Sequence, residues 1–231
     1  MKPDISVIIP TLNEAASLPR TIAAINNLGE NLEIIVVDGG SQDETRLLAE
    51  NCQATVLTAY CGRGNQMRVG AKSANSDILW FLHADTIPSP ETVGQLKTAL
   101  RDNAVIGGNF TLCFDGHTKA ARFMTWLYPH LRKIGLLYGD SAIFVRRGVY
   151  EQVGGFKPLP LFEDLELVNR LKRVGKLSYL PATVTTSSRR FEGRSFLLTF
   201  MRWTIFQCLY WLGISPNLLA KRYYPIRAPK P

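Results

Sequence analysis

The sequence predicts an α/β fold in which a mainly parallel sheet carries helices on both faces. Two observations lead to this prediction. Short runs rich in valine and isoleucine recur along the first half of the chain, and segments with helical character separate them, which is the pattern of β-α-β units. In addition, the 231 residues are 46% hydrophobic and 20% charged, so their number and composition allow one full buried core.

The first half of the chain is predicted to contain four strands, each stopped by a proline, a polar residue or a turn. Their ranges are 5–10, 34–37, 54–58 and 77–82. Capping residues or glycines precede the helical stretches between them. These helices are predicted over 11–28, 42–51 and 62–73. We interpret residues 1–103 as a doubly wound, nucleotide-binding half.

The pattern changes beyond that half. A longer strand is predicted over 105–114, and its internal Gly107-Gly108 pair indicates a bend or the close approach of another group. Further on, we expect a basic, aromatic helix, a short strand, a glycine turn and a helix with an acidic start. Their ranges are 119–133, 142–145, 154–156 and 162–175. Residues 104–192 therefore form a second half of the same domain.

The last segment, residues 193–231, is predicted to be an apolar, aromatic helix followed by a basic tail. Arg202 interrupts the apolar stretch 196–214, and an arginine at the centre of a bilayer costs roughly 2.5 kcal/mol or more. Three interpretations stay open: a helix lying on an anionic membrane surface, a helix packed on the domain or in a homodimer contact, and a spanning helix.

Net charge and cysteine spacing limit the partners and the location. The formal charge of +8 and pI near 9.5 favour acidic partners, but no nucleic-acid-binding motif is present, so we expect no nucleic acid. The four cysteines lack metal-ligand spacing, which favours reduced thiols. The chain enters its first strand without a signal-peptide pattern. We therefore expect a cytoplasmic location, either free or peripheral on the inner face of the membrane.

Two of the predicted strands end in aspartate. Asp38 ends the second strand, and Asp85 follows the fourth. The carboxyl ends of parallel strands meet at one edge of a sheet, where open α/β sheets bind their ligands. The sequence therefore predicts one crevice that contains both carboxylates. Helix capping is the alternative for Asp38 and for Glu14, which follows the first strand.

An ordered set of motifs resembles the family 2 glycosyltransferases of the GT-A fold. These motifs are PTLNE at 10–14, VDGGSQDET at 37–45, HAD at 83–85, GGF at 154–156 and ED at 163–164. GRGNQM at 62–67, FLHADT at 81–86 and SRRF at 188–191 look more narrowly like the small bacterial branch labelled transferase 2, rSAM/selenodomain-associated. The resemblance covers residues 5 to about 192 in the right order. It implies one GT-A domain over 1–192, with an acceptor-side half at 104–192.

The resemblance also implies an activity and a set of binding residues. The protein would move a sugar, with inversion, from a nucleotide donor, which this family pattern implies to be UDP-linked, to an unidentified hydroxyl acceptor. The implied donor-binding residues are Pro10, Thr11, Asn13, Glu14, Asp38, Gly39, Arg63, Gln66, His83, Ala84, Asp85, Arg189 and Arg190. Gly139 and Asp140 match the element that lines the acceptor side.

A divalent cation, Mn²⁺ or Mg²⁺, follows from the same resemblance. Such a cation stabilises the diphosphate that leaves with added negative charge. Asp85 is the implied ligand because the DxD motif of the family ends there. His83 stands at the first position of that motif, and a histidine ligand suits Mn²⁺ better than Mg²⁺. An ordinary histidine at a strand end is the alternative for His83.

Asp164 is the residue that the resemblance implies as the general base. An inverting transfer needs a carboxylate that takes the proton of the acceptor hydroxyl while its oxygen attacks the sugar. We expect the dipole at the start of a helix to keep Asp164 ionised, and Glu163 to orient it or to bind the acceptor. A pair of capping residues on an acidic helix is the alternative.

Two other functions remain open at this point. A sugar nucleotidylyltransferase also combines a nucleotide-binding half with a metal, but it needs a glycine-rich loop after the first strand, where PTLNE stands instead. A catalytically inactive, membrane-associated adaptor that binds nucleotide sugars would tolerate His83 in place of an aspartate. The intact Asp38, Asp85 and Asp164 favour the enzyme.

Overall fold

The computed structural model of the protein describes residues 2–133, 138–189 and 195–223. Its strands are β1 Ile5–Thr11, β2 Leu32–Asp38, β3 Thr55–Thr58, β4 Ile78–Phe81, β5 Thr86–Pro88, β6 Val105–Phe114, β7 Phe144–Arg146 and β8 Lys176–Thr186. Its helices are α1 Leu18–Asn26, α2 Thr45–Asn51, α3 Arg63–Ser73, α4 Thr92–Ala99, α5 Lys119–Lys133, α6 Arg147–Gln152, α7 Glu163–Leu171, α8 Phe196–Trp211 and α9 Pro216–Tyr223.

The strands form one sheet in the order β3-β2-β1-β4-β7-β6-β8-β5. The first four strands pair in parallel, as predicted. In the second half, β7 runs antiparallel to both β4 and β6, β8 is parallel to β6, and β5 is antiparallel to β8. The sheet is therefore parallel on the nucleotide-binding side and mixed beyond β4.

Two apolar cores lie on opposite faces of the sheet. Side chains alternate along β1, so that Val7 and Ile9 join one core while Ile8 joins the other. Helices α1 and α4 cover the first core, and α3, α6 and α7 contribute to the second. The α/β fold with helices on both faces is thereby confirmed.

The first helix begins later than the sequence predicts. We expected it to start at Thr11–Glu14, but α1 begins at Leu18. Asn13 adopts a left-handed conformation (φ 55°), which ends the extended strand without starting a helix. Its side-chain oxygen accepts a hydrogen bond from the Gln42 N–H at 2.8 Å. The loops after β1 and β2 are thus tied together at the edge where the strands end.

The glycine pair in β6 confirms the predicted close approach. A Cβ atom on Gly107 would lie 2.4 Å from the carbonyl oxygen of Phe144, and one on Gly108 would lie 2.0 Å from that of Ser178. Neighbouring backbone therefore occupies the space that a side chain would need. The pair allows β7 and β8 to flank β6 closely.

The C-terminal helices pack on the domain and also expose apolar surface. Phe206 and Tyr210 of α8 pack against the buried Leu161, and Leu219 of α9 completes this small core. The large apolar side chains of α8 that remain exposed are Leu197, Leu198, Met201, Ile205 and Trp211. Within the described ranges, no helix has both the length and the apolar character needed to cross a membrane. The predicted division at residues 192 and 193 stays a prediction.

Candidate active site

Arg189 joins the carboxyl ends of three strands. Its guanidinium bonds both carboxylate oxygens of Glu14 after β1 and approaches Oδ2 of Asp85 after β4 at 3.1 Å. Burial opposes its charge, but the hydrogen bonds with the two carboxylates outweigh that effect and raise the pKa of Arg189. We call Glu14, Asp85 and Arg189 the strand-end cluster. Two predicted carboxylates and one predicted arginine therefore do lie together.

Asp38 and its loop form the other side of this edge. The Asp38 carboxylate is buried and accepts hydrogen bonds from the backbone N–H groups of Gly40 and Ser41, both at 3.0 Å, and from the Ser41 hydroxyl. These bonds lie in the loop before α2, which begins only at Thr45, so Asp38 does not cap that helix in this structure. Its carboxylate fixes the loop that follows β2, and any contact with a donor remains a prediction.

Several of the predicted donor-binding residues shape the backbone of the crevice. The Gln66 amide donates to the carbonyl oxygens of Thr11 and Val37, both at 2.8 Å, and so holds the ends of β1 and β2 together. The position of this amide also explains why residue 39 is glycine, because a Cβ atom on Gly39 would lie 3.0 Å from the amide nitrogen. Pro10 is buried within β1, and the Ala84 carbonyl accepts from the Thr21 hydroxyl at 2.8 Å.

His83, Asp140, Arg63 and Glu163 form a second group, the central cluster. Nδ1 of His83 lies 3.0 Å from Oδ1 of Asp140, and Nη1 of Arg63 lies 3.9 Å from the same oxygen. Arg63 also donates through Nε to the buried Glu163 carboxylate at 2.7 Å. The cluster thus connects the motif at the end of β4 to the start of α7. Sequence reasoning placed His83 with Asp85 and did not foresee its pairing with Asp140.

Asp164, the second residue of α7, lies beside the central cluster. Its Oδ2 accepts from the Gly139 N–H at 2.5 Å, and its Oδ1 accepts from the Leu165 N–H at 2.7 Å. Burial and the nearby Glu163 raise the pKa of Asp164 to about 6, against the opposing effects of Arg63 and the two N–H groups. A carboxylate with this pKa is still mostly ionised at about pH 7, and the expected contribution of the helix dipole remains a prediction.

An apolar cavity of about 360 Å³ adjoins Asp164. Helices α5 and α8 form most of its wall. It is lined by Arg63, Met124, Leu127, Tyr128, Leu131, Tyr138, Asp140, Leu161, Phe162, Asp164, Phe200, Trp203, Thr204, Phe206, Gln207, Cys208 and Trp211. Sequence reasoning missed Tyr138 and Gln207 in this wall. The signal available for Gln207 was a single amide within an apolar helix.

The side chains of Asp85 and His83 suit a divalent cation whose remaining ligands come from a bound molecule or water. Asp85 offers carboxylate oxygens, one of which accepts from the Thr186 hydroxyl at 3.3 Å. The bond from His83 Nδ1 to Asp140 leaves Nε2 as the nitrogen able to bind a metal, and ligating histidines commonly have such a carboxylate partner. Within the part of the chain that the structure describes, no group of three or more His, Cys, Asp or Glu residues could hold a metal by itself.

Comparisons with known proteins place this geometry in a family. A model described as Glycosyl transferase family 2 matches residues 6–151, which is more than half of the chain. The chain belongs to glycosyl transferase family 2. "Probable glycosyltransferase YdaM" of Bacillus subtilis (strain 168) is 28% identical over 79% of this chain and 50% of that protein. An "Undecaprenyl-phosphate 4-deoxy-4-formamido-L-arabinose transferase" of Shewanella sediminis is 31% identical over 40% of this chain and 31% of that protein. The chain thus spans half or less of these two relatives.

Solved structures show the same fold as this family 2 chain. Glucosyl-3-phosphoglycerate synthase from Mycobacterium tuberculosis, in complex with Mn²⁺, uridine diphosphate and glucosyl-3-phosphoglycerate, superposes with a TM-score of 0.65. The two chains are 22% identical, and the match covers 92% of this chain and 81% of the other. The likeness shows that the fold is GT-A, as the resemblance of the motifs predicted.

The family match ends before α7. It includes Glu14, Asp38, the motif at 83–85 and Asp140, whereas Asp164 and Arg189 lie beyond residue 151. The geometry alone brings these last two residues to the site. Arg190, the remaining predicted donor-binding residue, lies outside the described residues. The assignment to the narrower rSAM-associated branch stays a prediction.

Proposed function

We propose that this family 2 chain is an inverting glycosyltransferase that moves a sugar from a UDP-linked donor to a hydroxyl acceptor. One observation carries the proposal: the buried Asp164, with a pKa raised to about 6, borders an open cavity on one side and the central cluster on the other. The family match favours glycosyl transfer over nucleotidylyl transfer.

Asp164 is the general base in this proposal. The acceptor oxygen forms the bond to the anomeric carbon, the bond from that carbon to the diphosphate breaks, and the hydroxyl proton passes to Asp164. The nucleoside diphosphate leaves with the electron pair. Bonds to Gly139 and Leu165 hold the carboxylate in place, which favours a productive orientation. Arg63 holds Glu163 in turn, and the carboxylates of Glu163 and Asp164 are both buried.

The strand-end cluster is the proposed site for the diphosphate. Asp85 would hold a divalent cation, with His83 as the second protein ligand, and phosphate oxygens and water would complete its coordination. Such a cation supplies charge neutralisation for the leaving group. Complexes of the Mycobacterium tuberculosis synthase with Mn²⁺ or Mg²⁺ and uridine diphosphate support this choice. Arg189 adds a guanidinium that suits paired contacts with phosphate oxygens.

A thermal-shift experiment tests the donor site. We expect uridine diphosphate with Mn²⁺ to raise the melting temperature, because a ligand that binds only the folded state stabilises it. Asp85→Ala should abolish the part of the shift that depends on metal. Asp77→Ala is the matched control, since Asp77 is an exposed carboxylate that precedes β4 and pairs with Lys2. Absence of a shift with every nucleoside diphosphate at millimolar concentration would rule out the donor site.

The stereochemistry of the product tests inversion. With a UDP-α-sugar as donor, we expect the first product seen by proton NMR to carry the β configuration. An α product formed before anomeric equilibration would contradict the direct displacement and the role of Asp164 as base.

The exposed surface of α8 is proposed to bind an anionic membrane, with a homodimer contact as the competing outcome. Leu197, Leu198 and Ile205 are each more than half exposed on α8, and Trp126 is 60% exposed on α5, the helix whose Phe123 contacts Phe196 and Phe200 of α8. Basic residues accompany these helices at Arg122, Arg202, Lys221 and Arg222. Apolar side chains next to cations are the pattern of a helix that lies in a membrane interface.

A further inference from the structure

We infer that the apolar cavity binds the acceptor, and that this acceptor is a neutral lipid alcohol whose hydroxyl lies at Asp164 and whose hydrocarbon part fills the space between α5 and α8. The inference rests on the proposed function and names the acceptor class for it. Transfer would join the alcohol oxygen to the anomeric carbon, with the proton going to Asp164 and the diphosphate leaving.

The two ends of the cavity differ in chemistry. Its polar end carries Asp140, Asp164 and Arg63, while the wall from α8 is largely apolar. Along α8, the lining positions Phe200, Thr204, Cys208 and Trp211 recur at the spacing of one helical face. A sugar acceptor would need polar partners over its whole surface, whereas this wall offers hydrocarbon contacts over most of its length. The shape fits a molecule with one polar end.

The volume is large enough for such a molecule. Small-molecule sites in proteins commonly measure about 300 to 1,000 Å³, and a cavity of about 150 Å³ already holds a benzene ring. The cavity here, at about 360 Å³, falls within that range. Trp211 lines it and is also 58% exposed, so the cavity reaches the surface at the apolar face of α8. A lipid held in a membrane could enter from that face.

Gln207 gives an independent sign of a ligand. Its side chain is 93% buried and lines the cavity, and its Oε1 accepts from the Tyr138 hydroxyl at 3.2 Å. The amide nitrogen has no hydrogen-bond partner among the residues that the structure describes. Turning the amide over would leave its oxygen unpaired instead. A buried amide is costly without a partner, and the oxygen of an alcohol can accept from it.

The negative charges at the polar end of the cavity favour a neutral alcohol over a lipid phosphate as the acceptor. Among the described residues that line the cavity, Arg63 is the cation at this end, and it already bonds Glu163 at 2.7 Å. A lipid phosphate would bring its charge next to the Asp140 and Asp164 carboxylates, and like charges at short range repel. A neutral hydroxyl has no such penalty, and it supplies the proton that the base removes.

Fluorescence quenching tests the inference without any sugar donor. The probe is a long-chain primary alcohol with bromine at the end opposite the hydroxyl, compared with the alkyl phosphate of the same length and the same bromine. Trp203 and Trp211 line the cavity and report on bromine near them. We expect saturable quenching by the alcohol and at least about tenfold weaker binding of the phosphate, because the carboxylates repel it.

Two variants locate the binding. Thr204→Phe adds volume at a lining position and should weaken alcohol binding by about tenfold or more. Leu47→Phe, at an exposed position on α2, is the control and should leave alcohol binding unchanged. Gln207→Leu keeps the volume and removes the amide, so we expect a loss of about twofold to tenfold. In each variant, the shift with uridine diphosphate and Mn²⁺ checks that the fold and the donor site are intact.

The outcomes separate the inference from the proposed function. A normal nucleotide shift together with no saturable quenching would overturn the lipid alcohol, as would equal binding of the phosphate or wild-type binding by Thr204→Phe. Binding of the alcohol without any shift by uridine diphosphate and Mn²⁺ would instead overturn the proposed UDP-linked donor. When both ligands bind, adding the alcohol should convert slow hydrolysis of UDP-glucose into formation of an alkyl glucoside, and failure to form it would overturn the acceptor role.

Discussion

At the scale of single residues, Asp164 gives the sharpest test. Asp164→Asn keeps the size and an acceptor oxygen for Gly139 or Leu165, but the amide takes no proton. We expect the rate of transfer, or of donor hydrolysis, to fall by roughly 10²-fold to 10⁴-fold while donor binding stays the same. The nucleotide shift and initial rates measure the two quantities separately.

The control for this substitution lies on the same helix. Glu166→Gln also replaces an acid by an amide in α7, but Glu166 pairs with Arg170 and Lys157 away from the cavity. Its turnover should resemble that of the wild type. If Asp164 only capped the helix, Asn would cap about as well and both variants would remain active. Wild-type turnover in Asp164→Asn would move the role of base to Glu163 or Asp140.

The raised pKa of Asp164 predicts a pH dependence. A base works when it is ionised, so the rate should rise with pH through about 6 and then level off. The stability contribution has the opposite sign. Because the pKa is higher in the folded state than the ordinary value of 3.8, this group stabilises the fold most below that value and loses the contribution as the pH rises through about 6.

Rates and melting temperatures measured across this range check both effects. Asp164→Asn should lack the part of each profile that Asp164 contributes. A wild-type rate that stays flat from about pH 5 to pH 8 would contradict a base with this pKa.

Part of the site could be read from residue types alone. Glu14 and Asp85 lie together because each follows a strand that ends at one edge, a rule that sequence can apply. Arg189 was expected there only from the family resemblance, because β8, the strand before it, was not predicted. The bonds of Asp38 to its own loop and of Gln66 to Thr11 and Val37 could not be predicted, since they depend on backbone positions set by folding. The pairing of Tyr138 with Gln207 joins positions 69 residues apart, and no local pattern indicates it.

At the scale of helices and strands, regular patterns were predictable and interrupted ones were not. β6 and α5 have the predicted bounds. β8 was missed because Pro181 lies inside it, where the register with β6 shifts between Asn109 and Thr111. A proline lacks the N–H that a central strand needs, and a bulge accommodates it. The short β5 and the helices α4, α6 and α9 were also missed.

The close packing of β6 leads to a test with a matched pair of substitutions. Gly108→Ala would place a methyl group 2.0 Å from a backbone oxygen, so we expect a loss of about 1 to 3 kcal/mol or more in the free energy of unfolding. Gly94→Ala, inside α4, meets nothing within 4 Å and should stabilise by about 0.5 to 1 kcal/mol. Denaturant unfolding of both variants measures the difference. If Gly108→Ala left the free energy of unfolding unchanged, β6 and β8 would have to move apart at little cost.

The exposed face of α8 predicts binding to lipid. Co-sedimentation with vesicles should rise with the fraction of acidic lipid and fall with salt. Leu198→Ser with Ile205→Ser should reduce it, because both side chains are more than half exposed on α8. Leu47→Ser is the control, since Leu47 is similarly exposed but lies on α2. Equal loss in the control would contradict a specific role of α8 in lipid binding, and a dimer that persists without lipid would favour the homodimer contact.

At the scale of the whole molecule, the domain combines a charged and an apolar environment around the proposed general base, Asp164. The strand ends on the parallel side carry charged groups suited to a diphosphate, while α5 and α8 provide an apolar wall. The sequence predicted the first environment from ordered motifs. It did not predict the cavity, because α8 packs on residues far away in the sequence, such as Phe123 and Leu161, and no local pattern indicates such contacts. Stacking of Phe162, at the start of α7, on Tyr210 of α8 at 4.6 Å joins the two environments.

The bond between Glu14 and Arg189 has a consequence for the order of events during synthesis. These partners are 175 positions apart, so the first strand leaves the ribosome long before the residue that completes its site. β8, which ends at Thr186, must also join β6 before Arg189 can reach the edge. A nascent chain can thus form its early parallel strands while it still lacks the complete strand-end cluster. The cluster can be completed only after residue 189 has been made, which makes it a late part of the domain to form.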